Sequence, residues 1–473
     1  MTTPLSLPSL ARRSHAWQRR GLLFALSVIL VTGGTYVLGA SRSARQPGSA
    51  TGAGLAAPSV PSLDLSGGAG GAGGLVPPNE RVAFWEQRVA AAGTTPSYLD
   101  LIYLADAYLD RSRASGDLGD LTRAQTALGR AATVTPDPKG VEIRQALVAF
   151  SLHDWPLAER LADELLASDP TNLAALGLSG DVYLETGRIE AARDRYTTLE
   201  GLISSPAVWS RIGRLAFLTG DPAAAIRLVS RASAAAVEEG AADAVAFYRF
   251  QLAELYRQTG QLDSAAAAYE AALEALPSYL PASVGLARIR EAQGRRDEAI
   301  GLLEGAVARL PQPETVAMLG DLYALSGDQR RADQTYALVD RIAEVARATG
   351  SVYDRQLTIF DADHDRELAA AVARARDELR VRPDVYGYDA LAWTLFKSGD
   401  LEAAATAAGR ALALGTPDPR IAYHAGMIAA AQGRLEAARV LLTAAVDGAA
   451  MLPPLQVPVA RAALAGLGLG DAS

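Results

Sequence analysis

The sequence predicts an all-α fold, a solenoid of stacked helix–turn–helix units, and two observations carry that expectation. The first is composition. Apolar residues make up 49 % of the chain but aromatics only 6 %, with Ala and Leu in heavy excess. Such a mixture suits close-packed helices and serves sheets poorly, since sheets favour β-branched and aromatic side chains. The second is a recurring phrase that opens on glycine: Gly187-Arg-Ile-Glu-Ala-Ala, Gly220-Asp-Pro-Ala-Ala-Ala, Gly260-Gln-Leu-Asp-Ser-Ala, Gly294-Arg-Arg-Asp-Glu-Ala, Gly327-Asp-Gln-Arg-Arg-Ala, Gly399-Asp-Leu-Glu-Ala-Ala and Gly433-Arg-Leu-Glu-Ala-Ala. Successive glycines lie 33, 40, 34, 33, 72 and 34 residues apart. A fixed period of this length signals a repeat array, for which a domain count based on length does not hold.

Taken from the N-terminus, residues 1–20 form a basic segment with Arg12, Arg13, Arg19 and Arg20 and no acid. An uncharged apolar run follows from Gly21 to Ala40. As a helix, such a run rises about 30 Å, enough to cross the hydrocarbon core of a bilayer. The arginines before it outnumber Arg42 and Arg45 just after it. The positive-inside rule therefore places the N-terminus in the cytoplasm and the rest of the chain outside. The same run also reads as a cleaved signal peptide, with a tolerable site after Gly39. Both readings export the bulk of the protein: as a single-pass cell-membrane protein, or as a secreted or periplasmic one. Residues 41–78 form a linker rich in Gly, Ala, Ser and Pro, expected to be disordered because it has little apolar surface to bury.

The repeats occupy residues 79–468, together with a short amphipathic helix at each end (near 79–92 and 457–465). Several positions recur with the period. A small residue stands at the eighth position of each unit: Ala146, Gly180, Gly213, Ala253, Ala287, Gly320, Ala392 and Gly426. Twelve positions later comes Ala158, Ala192, Ala225, Ala265, Ala299, Ala332, Ala404 or Ala438. Small residues at these two places let paired helix backbones approach without a void. Tyr196, Tyr269 and Tyr336 occupy the twenty-fourth position of their units. The glycines end first helices, and Pro136, Pro170, Pro277, Pro311 and Pro383 end second ones. The 72-residue gap holds one degenerate unit, near Ser351–Pro383, and the 40-residue gap holds an insertion near Ala234–Ala242. The first unit carries extra residues in its internal turn, around Arg111–Gly119.

This pattern resembles the tetratricopeptide repeat (TPR), a 34-residue helix–turn–helix unit. The block from Pro383 to Ala445 is similar to the closing repeats of exported bacterial TPR proteins. The resemblance implies a right-handed superhelical solenoid whose concave face is lined by first helices, at positions two, five, nine, twelve and thirteen. Through the middle these positions hold Asp181, Glu185, Arg214, Glu254, Arg288 and Asp321. In the last two repeats they and their neighbours hold Tyr386, Asp389, Trp393, Phe396, Lys397, Tyr423, His424 and Met427. Aromatic and Met side chains bury large areas at modest entropic cost, so this end is the candidate groove for a protein or peptide partner. The competing structural reading packs Trp393 and Phe396 against a neighbouring repeat or the C-terminal cap.

Other classes are disfavoured. The chain has no Cys, which removes disulfides and thiolate chemistry. His15, His153, His364 and His424 show no metal-ligand spacing. Without the six N-terminal arginines the charge balance is 39 basic to 53 acidic residues, and an acidic body repels nucleic acid. Residues 68–73 spell a dinucleotide-binding G-x-G-x-x-G, but without the strand and helix that would make it work. Asp361, Asp363 and Asp365 begin like a calcium loop, yet Arg366 and Val372 stand where it needs Gly and Glu; a solvated turn is expected there. The remaining charged residues are expected along solvated helix faces. No cofactor, metal or catalytic residue is predicted. The expected function is a membrane-tethered, extracytoplasmic protein-binding scaffold; the alternative is an accessory or chaperone subunit for envelope, pilus or secretion assembly that binds extended polypeptide.

Overall fold

The computed structural model describes residues 76–349 and 355–468. The basic segment, the apolar run 21–40 and nearly all of the linker lie outside that range. Helix α1 (Pro78–Ala91) leads into ten helix pairs: α2 (Tyr98–Ser115) with α3 (Leu118–Ala132), α4 (Pro138–Ser151) with α5 (Trp155–Ser168), α6 (Leu173–Glu185) with α7 (Ile189–Leu202), α8 (Pro206–Leu218) with α9 (Pro222–Glu239) and α10 (Ala242–Gln258) with α11 (Leu262–Ala275). The series continues with α12 (Leu280–Ala292) and α13 (Arg296–Arg309), α14 (Pro313–Leu325) and α15 (Gln329–Thr349), α16 (Arg355–Asp363) and α17 (Leu368–Leu379), α18 (Val385–Lys397) and α19 (Leu401–Ala411), and α20 (Pro419–Ala431) and α21 (Leu435–Asp447). A short 3-10 turn (Ala449–Met451) and α22 (Gln456–Gly468) close the chain. Among the described residues there is no strand, and no helix is long and apolar enough to cross a membrane.

Local chemistry sets the boundaries. Ser97, Asp137, Asp154, Asn172, Asp221, Asp384 and Asp400 each accept a backbone N–H from the first turn that follows, at N-termini that would otherwise leave donors unsatisfied. All seven glycines of the repeated phrase adopt positive φ, from 72° at Gly433 to 91° at Gly399, which is why the phrase opens on that residue. The alanine of the second helix is fully buried in every unit. A β-carbon added at Gly180 or Gly320 would lie 2.4 Å from the ring of Tyr196 or Tyr336, so small eighth positions make room for large twenty-fourth ones.

Two local expectations need correction. The extra residues of the first unit do not form a turn: Arg111–Ser115 continue α2 by a helical turn until left-handed Gly116 stops it. The insertion near Ala234–Ala242 lengthens α9 and brings forward the start of α10, because an Ala-rich stretch propagates a helix more readily than it makes a loop. In the degenerate unit, Asp365 and Glu367 take the positive φ that glycine supplies elsewhere.

The solenoid also touches itself. The end of one first helix meets the junction between the units five and six further on, and this happens at four levels. Gly116 packs on Leu310 and Gln312, Gly187 on Pro383, Gly220 on Gly415 and Gly260 on Asp447. Hydrogen bonds follow the same register: Thr416 Oγ1 donates to the Leu218 carbonyl at 2.6 Å, and Arg257 Nη1 to the Ala450 carbonyl at 3.3 Å. Leu184, Leu215 and Leu218 share one apolar cluster with Val385, Ala411 and Ile421. One superhelical turn thus takes between five and six repeats, and consecutive turns are in van der Waals contact.

Candidate protein-binding groove

The first helices carry the charged positions of the middle repeats, and adjacent units bury them, with the next turn adding a partner at Glu185. Asp181, Glu185 and Asp321 are 2–3 % exposed, where the repeat pattern implies side chains that line an open groove. Burying a charge is tolerable only with close, hydrogen-bonded partners, and each has them. Asp181 accepts from Arg211 (2.7 Å) on the next first helix and from the hydroxyl of Tyr196 (2.8 Å). Asp321 accepts from Tyr336 (2.8 Å) and bonds His364 Nε2 (3.0 Å). Glu254 accepts from Tyr269 and pairs with Arg257 at 2.5 Å. The acid at the ninth position of a unit is therefore the partner of the tyrosine fifteen residues later. Both were visible in the sequence; the link between them is a helix-pair geometry that linear spacing does not express.

Glu185 sits where two turns meet and pairs with Arg214 of α8 and with Arg382 from the turn above. Arg382 also reaches Asp384 at 3.1 Å and lies 5.5 Å over the ring of Trp155. Burial alone would push the Glu185 carboxyl up, but the two guanidiniums outweigh it and hold the pKa down at about 2. Opposing effects also act on His364: burial disfavours its charged form, while the bond and charge of Asp321 raise its pKa on balance.

The structure divides the eight residues predicted for the partner groove between two places. Tyr386 faces the turn-to-turn cluster around Leu184 and Leu215. The others gather at the C-terminal end, on α18 and α20. Trp393 (2 % exposed) stacks on His424 at 4.3 Å and on Phe396 at 5.4 Å, with Tyr423 also at 5.4 Å. His424 Nδ1 bonds Asp389 at 2.9 Å. Trp393 Nε1 donates to Asp363 (2.8 Å), whose carboxylate also accepts from Gln456 of the C-terminal segment (3.1 Å). Gln456 in turn accepts from the hydroxyl of Tyr423 at 2.6 Å. Asp363 is thus turned inward rather than solvated, because Trp393 supplies a donor that needs an acceptor. Trp393, Tyr423, Asp389 and His424 are buried, whereas Phe396, Lys397 and Met427 remain partly exposed. Lys397 pairs with Asp365 at 2.8 Å beside the Trp393 ring.

Fold and interior together define a helical-repeat solenoid coiled tightly enough that consecutive turns touch. Tetratricopeptide repeat models match residues 143–201, 204–278, 256–322 and 390–451, about half of the chain. The chain belongs to the tetratricopeptide repeat family. No curated protein matches it in sequence. Similar solved structures include PilW, described as a widely conserved type IV pilus biogenesis factor (19 % identity over 44 % of this chain and 94 % of that one, TM-score 0.37). Others are a tetratricopeptide repeat protein from Parabacteroides merdae (18 %, 53 % and 98 %, TM-score 0.36) and a human IFIT1 dimer with PPP-AAAA (14 %, 78 % and 94 %, TM-score 0.43). Likenesses at this level identify neither ligand nor partner. The repeats make the chain a protein-interaction scaffold, and no catalytic family is indicated.

Proposed function

We propose that the chain is a membrane-tethered, extracytoplasmic scaffold that binds a protein partner at its C-terminal end, along the rim formed by Phe396, Lys397 and Met427. The observation that carries this reading is the aromatic stack beneath the rim. Trp393, His424 and Tyr423 are held by Asp363, Asp389 and Gln456, so partly exposed Phe396 and Met427 rest on a rigid support. Pre-organised aromatic and Met side chains lose little freedom on binding. The buried residues of the predicted groove position the rim, and the exposed ones make the contact. The tether rests on the apolar run 21–40 and its flanking arginines.

The binding reading is tested by crosslinking and purification from native membranes, comparing the intact protein with a Phe396→Ser, Met427→Ser variant. A discrete partner lost in the variant, with helicity unchanged, supports the rim; retention of every partner removes it. The tether is tested by fusing a reporter active only outside the cytoplasm after Ser473. A stable but inactive fusion overturns export.

A further inference from the structure

Where a superhelical repeat protein could leave a gap between turns, this one packs the ends of α6 and α8 against its own next turn. The closure is built from three kinds of contact. Backbone packs on backbone where Gly187 meets Pro383 and Gly220 meets Gly415; a β-carbon at Gly187 would lie 2.4 Å from the Pro383 carbonyl oxygen. Apolar side chains of α6 and α8 meet those of α18, α19 and α20. The third contact is ionic: Arg382 enters the Glu185–Arg214 pair from 197 residues away. Arg382 is 7 % exposed and its Nε also donates to the Glu185 carbonyl at 3.3 Å. It therefore grips both the side chain and the backbone at the end of α6.

We propose that Arg382, with Glu185 and Arg214, forms a latch that holds successive turns of the superhelix shut, and that the inward faces of α6 and α8 become accessible only when this latch releases. The geometry makes Arg382 the movable member. Glu185 keeps Arg214 as a partner within its own turn, so withdrawal of Arg382 leaves the carboxylate paired. Arg382 in turn has Asp384 within reach on its own side of the interface, at 3.1 Å. Both halves of the latch are thus provided for in the open coil, which lowers the cost of separating a buried ion pair. Thr416, 6 % exposed and bonded across the same interface to the Leu218 carbonyl, reports on the opening. This device is independent of where a partner binds on the C-terminal rim.

The absence of cysteine permits a direct test. A single thiol is introduced by T416C at the interface between turns. A second protein carries T394C instead, at a fully buried position within α18. The rate of maleimide labelling is measured for each, alone and combined with R382Q. An open state in rapid exchange labels in proportion to its population. R382Q is expected to raise the labelling rate of the T416C thiol on the order of 100-fold, in line with the loss of a buried pair, and to leave that of the T394C thiol unchanged. R382K keeps the charge without the two-pronged geometry; it should give a smaller rise and carries the test if R382Q fails to fold. Unchanged labelling of the T416C thiol in both variants overturns the latch. Equal acceleration at the two thiols also overturns it, because the whole solenoid then loosens rather than one interface.

Discussion

The ninth position of the repeat is occupied in opposite ways along this chain. In the middle it holds Asp181, Arg214, Glu254, Arg288 and Asp321; near the C-terminus it holds Trp393. Both regions are largely withdrawn from solvent, but for different reasons. The charged positions are satisfied by arginine, tyrosine and histidine of their own and adjacent units, whereas Trp393 is covered by its neighbours and by the C-terminal segment through Asp363 and Gln456. The comparison teaches that repeat position fixes where a side chain points, while the packing of neighbouring units decides whether solvent or a partner can reach it.

Breaking the charged region should have the largest effect. Asp181→Ala leaves Arg211 buried without its carboxylate and is expected to cost about 3–5 kcal/mol of stability, measured by chemical denaturation. The double replacement Asp181→Leu, Arg211→Met should recover most of that, since the desolvation cost disappears together with the attraction; no recovery would show that the pair is needed for more than its charge. Trp393→Ala removes an aromatic core side chain, with an expected cost of about 3–5 kcal/mol. Its effect should stay in the last repeats, leaving hydrogen-exchange protection of α6 and α8 intact. Loss of protection in both regions would mean that they are one cooperative unit.

Acid sharpens the comparison further. The Glu185 carboxyl is depressed to about 2 from an ordinary value near 4.5. Its contribution is therefore fully present above that ordinary value and lost as pH falls from about 4.5 to 2, a total of about 3 kcal/mol. Glu185→Gln should flatten that acid limb in a plot of unfolding midpoint against pH, and an unchanged limb would assign it to other carboxylates. The smallest effect is expected at His364, whose raised pKa acts in the opposite direction. Its stabilisation is complete below about 6.5, the ordinary histidine value, and lost as pH rises through the folded value. His364→Gln should abolish that upper slope while leaving the acid limb as it was.

Much of the architecture was legible in the sequence because each cue was local. The phrase glycines, the eighth-position small residues and the second-helix alanines all act within one helix pair, and the structure uses them as their spacing implies. What the sequence hid is relational. Nothing within a 34-residue window says that Glu185 will meet Arg382, or that Gly187 will lie against Pro383, because those contacts arise from an accumulated rotation over more than five units. The charged inward positions read as a groove because their partners lie on other helices, and the aromatic ones could be read as groove or as core. The link from Trp393 to Gln456 was hidden for a simpler reason: Gln456 lies beyond the last repeat, at the start of a segment with no repeat register.

The contact between turns has a consequence for how such a chain can change in evolution. In an open array one unit can be duplicated or deleted with little penalty, because each touches only its neighbours. Here the loss of a single unit between α8 and α17 would slide each facing pair out of phase by one step. Gly187 would no longer face Pro383, Thr416 would lose the Leu218 carbonyl, and Arg382 would be carried away from Glu185. The number of units in the intervening stretch is therefore as much a part of the fold as any side chain, and descendants that vary in length should vary at the ends.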